Sequence, residues 1–178
     1  LVEKCRFSDI YDSGVTYQGL SAKVNGFTAR SNVFDKCGLA SFEYWLGTAG
    51  YAENITVEDN YMSNAGGGFG GIGKRSINAK YVSHIRADGA NRISNFIIRS
   101  NVLDSAADGA CLAALCCYKS SGGSLPTLFR NIYIRKSGEW LLSVKTESAA
   151  DAAVFSADAI GIDYLKQSFD NKPIVILR

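Results

Sequence analysis

The sequence contains one histidine, His84, no Cys-x-x-Cys pair and no apolar run of membrane-spanning length. These absences argue against a zinc site of the usual ligand spacing and against a transmembrane helix. The five cysteines are an odd number, and Cys116 and Cys117 are adjacent. At most two disulfides could form, and the sequence does not decide which. We therefore interpret the cysteines as small buried hydrophobic residues.

An excess of charge is also missing. Nineteen Lys and Arg stand against seventeen Asp and Glu, a formal net charge of +2, and like charges form no long run. Such a balance is not typical of proteins that bind nucleic acid or a membrane surface. The 178 residues are 47% hydrophobic, which is enough for one domain with a sizeable core.

A repeat is the main feature that is present. Three segments align without a gap: "FTARSNVF" (27–34), "ITVEDNYM" (55–62) and "FIIRSNVL" (96–103). Each has alternating apolar residues before and after an asparagine. The aligned columns are Phe27, Ile55 and Phe96, then Ala29, Val57 and Ile98, then Asn32, Asn60 and Asn101, then Phe34, Met62 and Leu103. No Asn-Gly or Asp-Gly turn interrupts these segments, so hairpins are a poor interpretation.

Two degenerate copies bring the number to five. Cys5 takes the asparagine column in the first segment, and Ser137 takes it in "IYIRKS" (132–137). A polar stretch ending in glycine follows each of the first four copies, at Gly14, Gly38, Gly66 and Gly109. A third strand then follows in "VTYQGLS" (15–21), "LASFEYW" (39–45) and "ACLAALCC" (110–117). Strands recurring every 25 to 40 residues or so predict a solenoid, in which one repeat forms one coil.

The pattern I-x-V-x-x-N-x-F, followed by a polar turn and Gly, resembles the coils of the right-handed parallel β-helix proteins of the pectate-lyase-like superfamily. The resemblance covers about residues 1–137 and implies an all-β solenoid of about five coils. It also implies that the asparagines stack as an internal ladder. A side-chain amide carries both donors and an acceptor, so stacked asparagines can bond one another and the turn backbone while buried.

Residues 138–178 predict a C-terminal cap. The segment "ESAADAAVFSADAIGI" (147–162) has a weak amphipathic helix pattern, and "PIVILR" (173–178) is typical of a strand. A solenoid needs such a cover over its last coil. The chain begins at Leu1 with a strand-like segment and no signal-peptide pattern. We therefore expect it to be the C-terminal part of a longer protein with further coils upstream.

The stretch "GGGFGGIGKR" (66–75) has the glycine spacing of a phosphate-binding loop. Such a loop needs Ser or Thr after the lysine and a helix that begins there. Here Arg75 follows Lys74, and "SINAKYVSHIR" (76–86) is not a convincing helix. We therefore interpret the stretch as a flexible glycine-rich loop.

Candidate catalytic residues follow from the resemblance. Residues 66–94 and 118–130 are interpreted as insertions, which in solenoids often build the binding face. In β-helix lyases a Lys or Arg abstracts a proton beside a uronate carboxylate that calcium or another Arg neutralises; β-helix hydrolases use paired carboxylates. The candidates for the first chemistry are Lys74, Arg75, His84 and Arg86, and those for the second are Glu43, Asp108 and Asp104. The alternatives are that Asp108 supports its turn by local hydrogen bonds and that His84 is an ordinary loop residue.

The stretch "FEYW" (42–45) offers aromatic rings for stacking on sugar faces, with Tyr44, Trp45 and Arg86 as candidate substrate-binding residues. Alternatively, alternate members fill the core. The resemblance implies a secreted or cell-surface protein that cleaves polysaccharide, as a glycoside hydrolase or a polysaccharide lyase, with calcium as a possible cofactor. The other class that we consider is a non-catalytic β-helix, such as an adhesin-type module that binds oligosaccharide.

Overall fold

The computed structural model of the chain describes residues 1–19, 23–46, 51–66, 83–89, 92–104, 113–119, 126–134, 140–145 and 175–177. All regular structure in these ranges is β-strand. The strands are β1 (Val2–Glu3), β2 (Arg6–Ile10), β3 (Val15–Gly19), β4 (Lys23–Arg30), β5 (Val33–Cys37), β6 (Ala40–Leu46), β7 (Tyr51–Glu58), β8 (Tyr61–Ser63), β9 (Ser83–Gly89), β10 (Arg92–Arg99), β11 (Val102–Asp104), β12 (Ala113–Lys119), β13 (Thr127–Phe129), β14 (Ile132–Ile134), β15 (Trp140–Lys145) and β16 (Val175–Leu177).

These strands form three sheets. The first sheet has the order β1-β4-β7-β10-β13, the second β14-β11-β8-β5-β2, and the third β16-β15-β12-β9-β6-β3. Every pairing between described strands is parallel. Up to β15, each strand pairs with strands three positions away along the chain. Within the described residues, the prediction of an all-β structure without hairpins is therefore confirmed.

The register of the first two sheets matches the alignment of the three clear copies. In the first sheet Phe27 pairs with Ile55 and Ile55 with Phe96, and Val57 lies between Ala29 and Ile98. In the second sheet Met62 lies between Phe34 and Leu103. These residues belong to or pack against one hydrophobic core cluster. Alternation along each strand directs these columns to the interior.

The asparagines form a ladder, as the alignment predicts. It consists of Asn32, Asn60, Asn101 and Asn131, all buried. From Asn32 to Asn101, each Nδ2 donates to the Oδ1 of the next member, at distances of 2.9 to 3.0 Å. Each Nδ2 also donates to a backbone carbonyl, and each Oδ1 accepts a backbone N–H as well. The Cys5 N–H donates to Asn32 Oδ1, so Cys5 does occupy the asparagine column.

The prediction for the fifth copy is wrong. The structure places Asn131 in the ladder, because Leu128 pairs with Ile98 and Ile132 pairs with Val102. Ser137 lies outside the described residues. The error arose because Ile132 and Ile134 alternate like core residues, whereas both are exposed on the second sheet. The correct copy is "LFRNIY" (128–133), displaced from the predicted one.

Left-handed backbone conformations recur at equivalent positions of the repeat. Ten described residues other than glycine have φ between 52° and 59°. Five directly precede the ladder column, namely Lys4, Ser31, Asp59, Ser100 and Arg130. Three lie near the C-terminal ends of strands of the second sheet: Asp9 and Lys36 are next to last in β2 and β5, and Asn64 directly follows β8. Two lie within strands of the first sheet, namely Asn54 and Asn95. The chain therefore bends at equivalent points, whatever the residue type.

The predicted insertion at 66–94 is also wrong as a single loop. It contains β9, which pairs with β6 and β12 in the third sheet, and the start of β10. The predicted insertion at 118–130 contains the end of β12 and all of β13. In the predicted cap, β15 and β16 extend the third sheet. The predicted helix at 147–162 and the glycine-rich residues 67–75 lie outside the described residues.

Candidate functional site: the outer face of the third sheet

The third sheet brings together several of the predicted site residues. Phe42, Tyr44 and Ile85 belong to the core cluster. Because neighbours in a strand occupy opposite faces, Ser41, Glu43 and Trp45 lie on the other face of β6. We call this face of the third sheet its outer face.

Glu43 is the best-defined polar residue of this face. Its side chain is only 4% exposed. Its Oε2 accepts a hydrogen bond from Ser13 Oγ at 2.9 Å and another from Thr16 Oγ1 at 3.3 Å. A carboxylate withdrawn from water needs such donors, since an unpaired buried charge is strongly unfavourable. The two hydroxyls therefore hold Glu43 in a fixed position.

Ser41 is fully buried, and its Oγ has no hydrogen-bond partner in the part of the chain that the structure describes. Buried polar atoms are usually satisfied, so this hydroxyl is unusual. Ala40 pairs with Ser83 and Phe42 pairs with Ile85, which puts His84 beside Ser41 in the register. The single histidine of the chain therefore occupies the register position next to Ser41 on the neighbouring strand.

Two register columns cross the outer face. The inner column is Thr16, Glu43, Arg86, Cys116 and Ser143. Within it Glu43 and Arg86 are direct neighbours on parallel strands, about 4.8 Å apart along the sheet. Residues of opposite charge at such neighbouring positions favour each other.

The aromatic column lies two residues further along each strand. It consists of Gln18, Trp45, Asp88, Tyr118 and Lys145. Two aromatic residues, Trp45 and Tyr118, flank Asp88 on either side. Two strand spacings, about 9.6 Å, separate the two aromatic positions. The column therefore alternates ring-bearing and hydrogen-bonding residues across the sheet.

Of the predicted residues, Glu43, Trp45, His84 and Arg86 come together on the adjacent strands β6 and β9. Tyr44 does not join them. It is fully buried, with its ring 5.5 Å from Phe96 between centroids. Burial also raises the pKa of its hydroxyl far above the usual range. The structure thus reassigns Tyr44 from the substrate-binding set to the core.

The remaining candidates are placed elsewhere or not described. Asp104 lies in the second sheet, where its Oδ2 accepts a hydrogen bond from the Tyr61 hydroxyl at 2.8 Å. It is therefore not on the same sheet as Glu43. Lys74, Arg75 and Asp108 lie outside the described residues.

The sequence interpretation missed Gln18, Tyr118 and Lys145. Gln18 is within a predicted third strand, Tyr118 was assigned to an insertion, and Lys145 was assigned to the cap. The third strands carry no asparagine marker by which to align them, so their register could not be read from the repeat. Aligning "TYQ" (16–18), "EYW" (43–45) and "CCY" (116–118) as period-two segments would have found the first two.

The described residues bring together no three His, Cys, Asp or Glu side chains that could hold a metal ion. Within the same ranges, no helix is long and apolar enough to cross a membrane. Comparisons with family models, with curated proteins and with solved structures gave no significant match to the chain.

Proposed function

We propose that the chain forms coils of a right-handed parallel β-helix and binds a polysaccharide or oligosaccharide on the outer face of its third sheet. The strand order supports the fold, because each strand up to β15 pairs with the strand three positions away and all pairs are parallel. Connections between parallel strands of one sheet are right-handed in nearly all proteins. A β-helix of this kind fits a secreted or cell-surface protein.

The aromatic column carries the functional proposal. Aromatic rings stack on the apolar faces of sugar rings, and flanking carboxylates, amides and amines can bond the hydroxyl groups at the ring edges. Trp45, Asp88 and Tyr118 stand on three successive strands of one sheet. Because the column runs across the strands, an extended sugar chain could lie along it and meet one residue per strand. The inner column runs parallel to the aromatic column, two residues away along each strand, and contributes the charged residues Glu43 and Arg86 to the same face.

Cleavage of the bound glycan is the second candidate, and one relation favours it. Asp88 lies on the strand next to Glu43, two residues further along. The strand spacing and the rise of two residues put the Cα atoms of the two residues about 8 Å apart. The carboxyl groups of inverting hydrolases are about 6.5–9.5 Å apart, a separation that side chains at these two positions could reach. Glu43 is nearly fully buried, however, so binding stands as the primary function.

Titration calorimetry with a panel of neutral and acidic oligosaccharides tests the binding proposal. Trp45→Ala and Tyr118→Ala should each weaken binding by about fivefold or more, since an aromatic stacking contact contributes about 1 kcal/mol or more. The matched control is Tyr61→Ala, which removes an exposed tyrosine from the second sheet and should leave affinity unchanged. Equal losses in all three variants, or no binding by the parent protein, would contradict the proposal.

The same panel separates the two candidate functions. Product analysis of the bound sugars detects new reducing ends after hydrolysis and unsaturated uronates after a lyase reaction. Hydrolysis that Asp88→Asn and Glu43→Gln both abolish would establish the carboxyl pair. Binding of the sugars without any product would show that the protein is a non-catalytic binding module.

A further inference from the structure

Three exposed asparagines on neighbouring strands of the first sheet form a second hydrogen-bonded row: Asn25 on β4, Asn54 on β7 and Asn95 on β10. Asn54 Nδ2 donates to Asn25 Oδ1 at 2.8 Å, and Asn95 Nδ2 donates to Asn54 Oδ1 at 2.6 Å. All three residues are exposed. We call them the exposed asparagine row, to distinguish them from the buried ladder.

The residue that follows each asparagine differs along the row. Asn54 precedes Ile55 and Asn95 precedes Phe96, both buried, whereas Asn25 precedes Gly26. Gly26 is exposed, has a φ of +82°, and a Cβ added to it would meet no atom within 4 Å. The Cα of Gly26 therefore faces open space on its side-chain side, and no side chain of residue 26 screens the peptide bond to Asn25.

We propose that Asn25 is a site of spontaneous deamidation in the folded protein. The backbone nitrogen of Gly26 attacks Cγ of Asn25, and the new N–Cγ bond closes a five-membered succinimide. The backbone amide proton passes to solvent, Nδ2 takes up a proton from solvent, the Cγ–Nδ2 bond breaks, and ammonia leaves. Water then opens the ring at Cγ to give aspartate, or at the backbone carbonyl of residue 25 to give isoaspartate. No oxidant, reductant or enzyme enters the balance.

The hydrogen bond within the row favours the attack. Negative charge develops on Oδ1 of Asn25 as the ring closes, and Asn54 Nδ2 already donates to that oxygen at 2.8 Å. A donor in place before the reaction stabilises the charge of the transition state. The exposure of Asn25 gives water access for the departure of ammonia and for the second step.

The two products differ in their effect on the first sheet. Aspartate keeps an acceptor for Asn54 and adds a negative charge to a row of neutral amides. Isoaspartate instead routes the backbone through Cγ and lengthens β4 by one methylene. That insertion displaces Asn25 and Lys23 from their register with β7, where Lys23 Nζ lies 3.0 Å from Glu53. The modification therefore loosens the start of β4.

Peptide mass spectrometry after long incubation at mildly alkaline pH and 37 °C tests the proposal. Trypsin releases Asn25 in residues 24–30 and Asn95 in residues 93–99, so the two members of the row are read in separate peptides. We expect the mass increase of an amide-to-acid change in the first peptide to grow several times faster than in the second. A zero-time sample, digested in parallel, corrects for deamidation during digestion. Methyl transfer by an isoaspartyl methyltransferase should label the first peptide.

Asn25→Gln provides the matched variant, because its longer side chain would have to close a less favourable six-membered ring. It should abolish the labelling while the mass change at other asparagines stays the same. Equal rates at Asn25 and Asn95 would overturn the proposal. So would conversion of Asn25 in urea-unfolded chain but not in the folded protein, since that result would mean that β4 protects the site.

Discussion

Asn60 Nδ2 donates a hydrogen bond to Asn101 Oδ1 over 2.9 Å, although the two residues are 41 positions apart in the chain. Asn60 Oδ1 in turn accepts the Nδ2 and the backbone N–H of Asn32. One buried side chain thus ties three successive repeats together. The amide is suited to this position because it donates to one neighbour and accepts from the other.

Replacing Asn60 with Leu should destabilise the protein strongly. The substitution removes the acceptor of the Asn32 backbone N–H and of one Asn32 Nδ2–H, and it removes the side-chain donor to the Ala29 carbonyl, all in a buried site. Asn101 Oδ1 loses one of its two donors and keeps the backbone N–H of residue 60. Each stranded buried group costs about 1–3 kcal/mol. Urea unfolding should therefore show a loss of at least about 2 kcal/mol in the free energy of unfolding.

The same substitution at Asn25 is the control for Asn60→Leu. Asn25 is exposed, so water can replace the amide that its Oδ1 accepts, and the change should stay within about 0.5 kcal/mol. Similar losses at the two positions would show that the buried ladder contributes no more than the exposed row.

Asp59 tests the left-handed bend before the ladder. It is exposed and has a φ of 54°. A left-handed residue other than glycine is disfavoured by about 1–2 kcal/mol, and β-branched residues tolerate this conformation least. We expect Asp59→Val to lower the midpoint of thermal unfolding and Asp59→Gly to leave it unchanged or raise it. Equal midpoints for the two variants would contradict the role of the bend.

The sequence predicted the columns of the first two sheets because the asparagine marks their register. Asn32, Asn60 and Asn101 each stand at a fixed distance from alternating apolar residues, so the alignment carried over directly to strand pairing. The alignment missed Asn131, because Ile132 and Ile134 alternate as two core residues would, although both are exposed. A period of two cannot by itself distinguish the inner face from the outer face.

Two other features, the left-handed bends and the position of β9, depend on backbone geometry that no residue type in the sequence marks. The bend before the ladder is occupied by Lys, Ser, Asp and Arg in different repeats, which share no turn signature. The strand β9 follows a glycine-rich stretch and has no asparagine marker, so its sequence predicts a loop. Without β9 the positions of His84, Arg86 and Asp88 beside β6 could not be found.

Stability should fall in alkaline solution as Cys37 titrates. Burial, and secondarily the charge of Asp35, raises the pKa of its thiol from 9.0 to about 11. The folded protein therefore holds this proton more tightly than the unfolded chain does. The associated stabilisation is complete below pH 9 and is lost as the pH rises through about 11. Burial raises the pKa of Tyr44 and Tyr17 as well, which adds losses of the same sign at higher pH.

Urea unfolding at a series of pH values from neutral to 11 measures this dependence. Cys37→Ala lowers stability at every pH by leaving a cavity, so the informative quantity is the slope of the free energy of unfolding against pH. Just above pH 9, the free energy of unfolding should fall less steeply with rising pH in the variant than in the parent. Parallel curves would mean that the Cys37 thiol has the same pKa in the folded and the unfolded protein.

Gly14 should not tolerate a side chain. A Cβ at this position would lie 2.8 Å from Cys37 Sγ, 2.8 Å from Phe34 Cδ1 and 2.9 Å from the Ser41 carbonyl oxygen. Phe34 cannot move aside easily, because its buried ring stacks on Phe7 with the centroids 4.9 Å apart. Overpacking of this kind costs about 1–3 kcal/mol, and we expect Gly14→Ala to lose that amount in urea unfolding.

Combining Gly14→Ala with Cys37→Ala identifies the obstruction. Removing Sγ frees one of the three contacts and lets the new methyl group fill the space, so the double variant should lose less than the sum of the two single losses. Additive losses would mean that the thiol is not the obstruction. A Gly14→Ala variant as stable as the parent would show that β3 can move away from β6. Ser13, which donates to Glu43, would then move with it, and the outer face of the third sheet would be less rigid than its hydrogen bonds indicate.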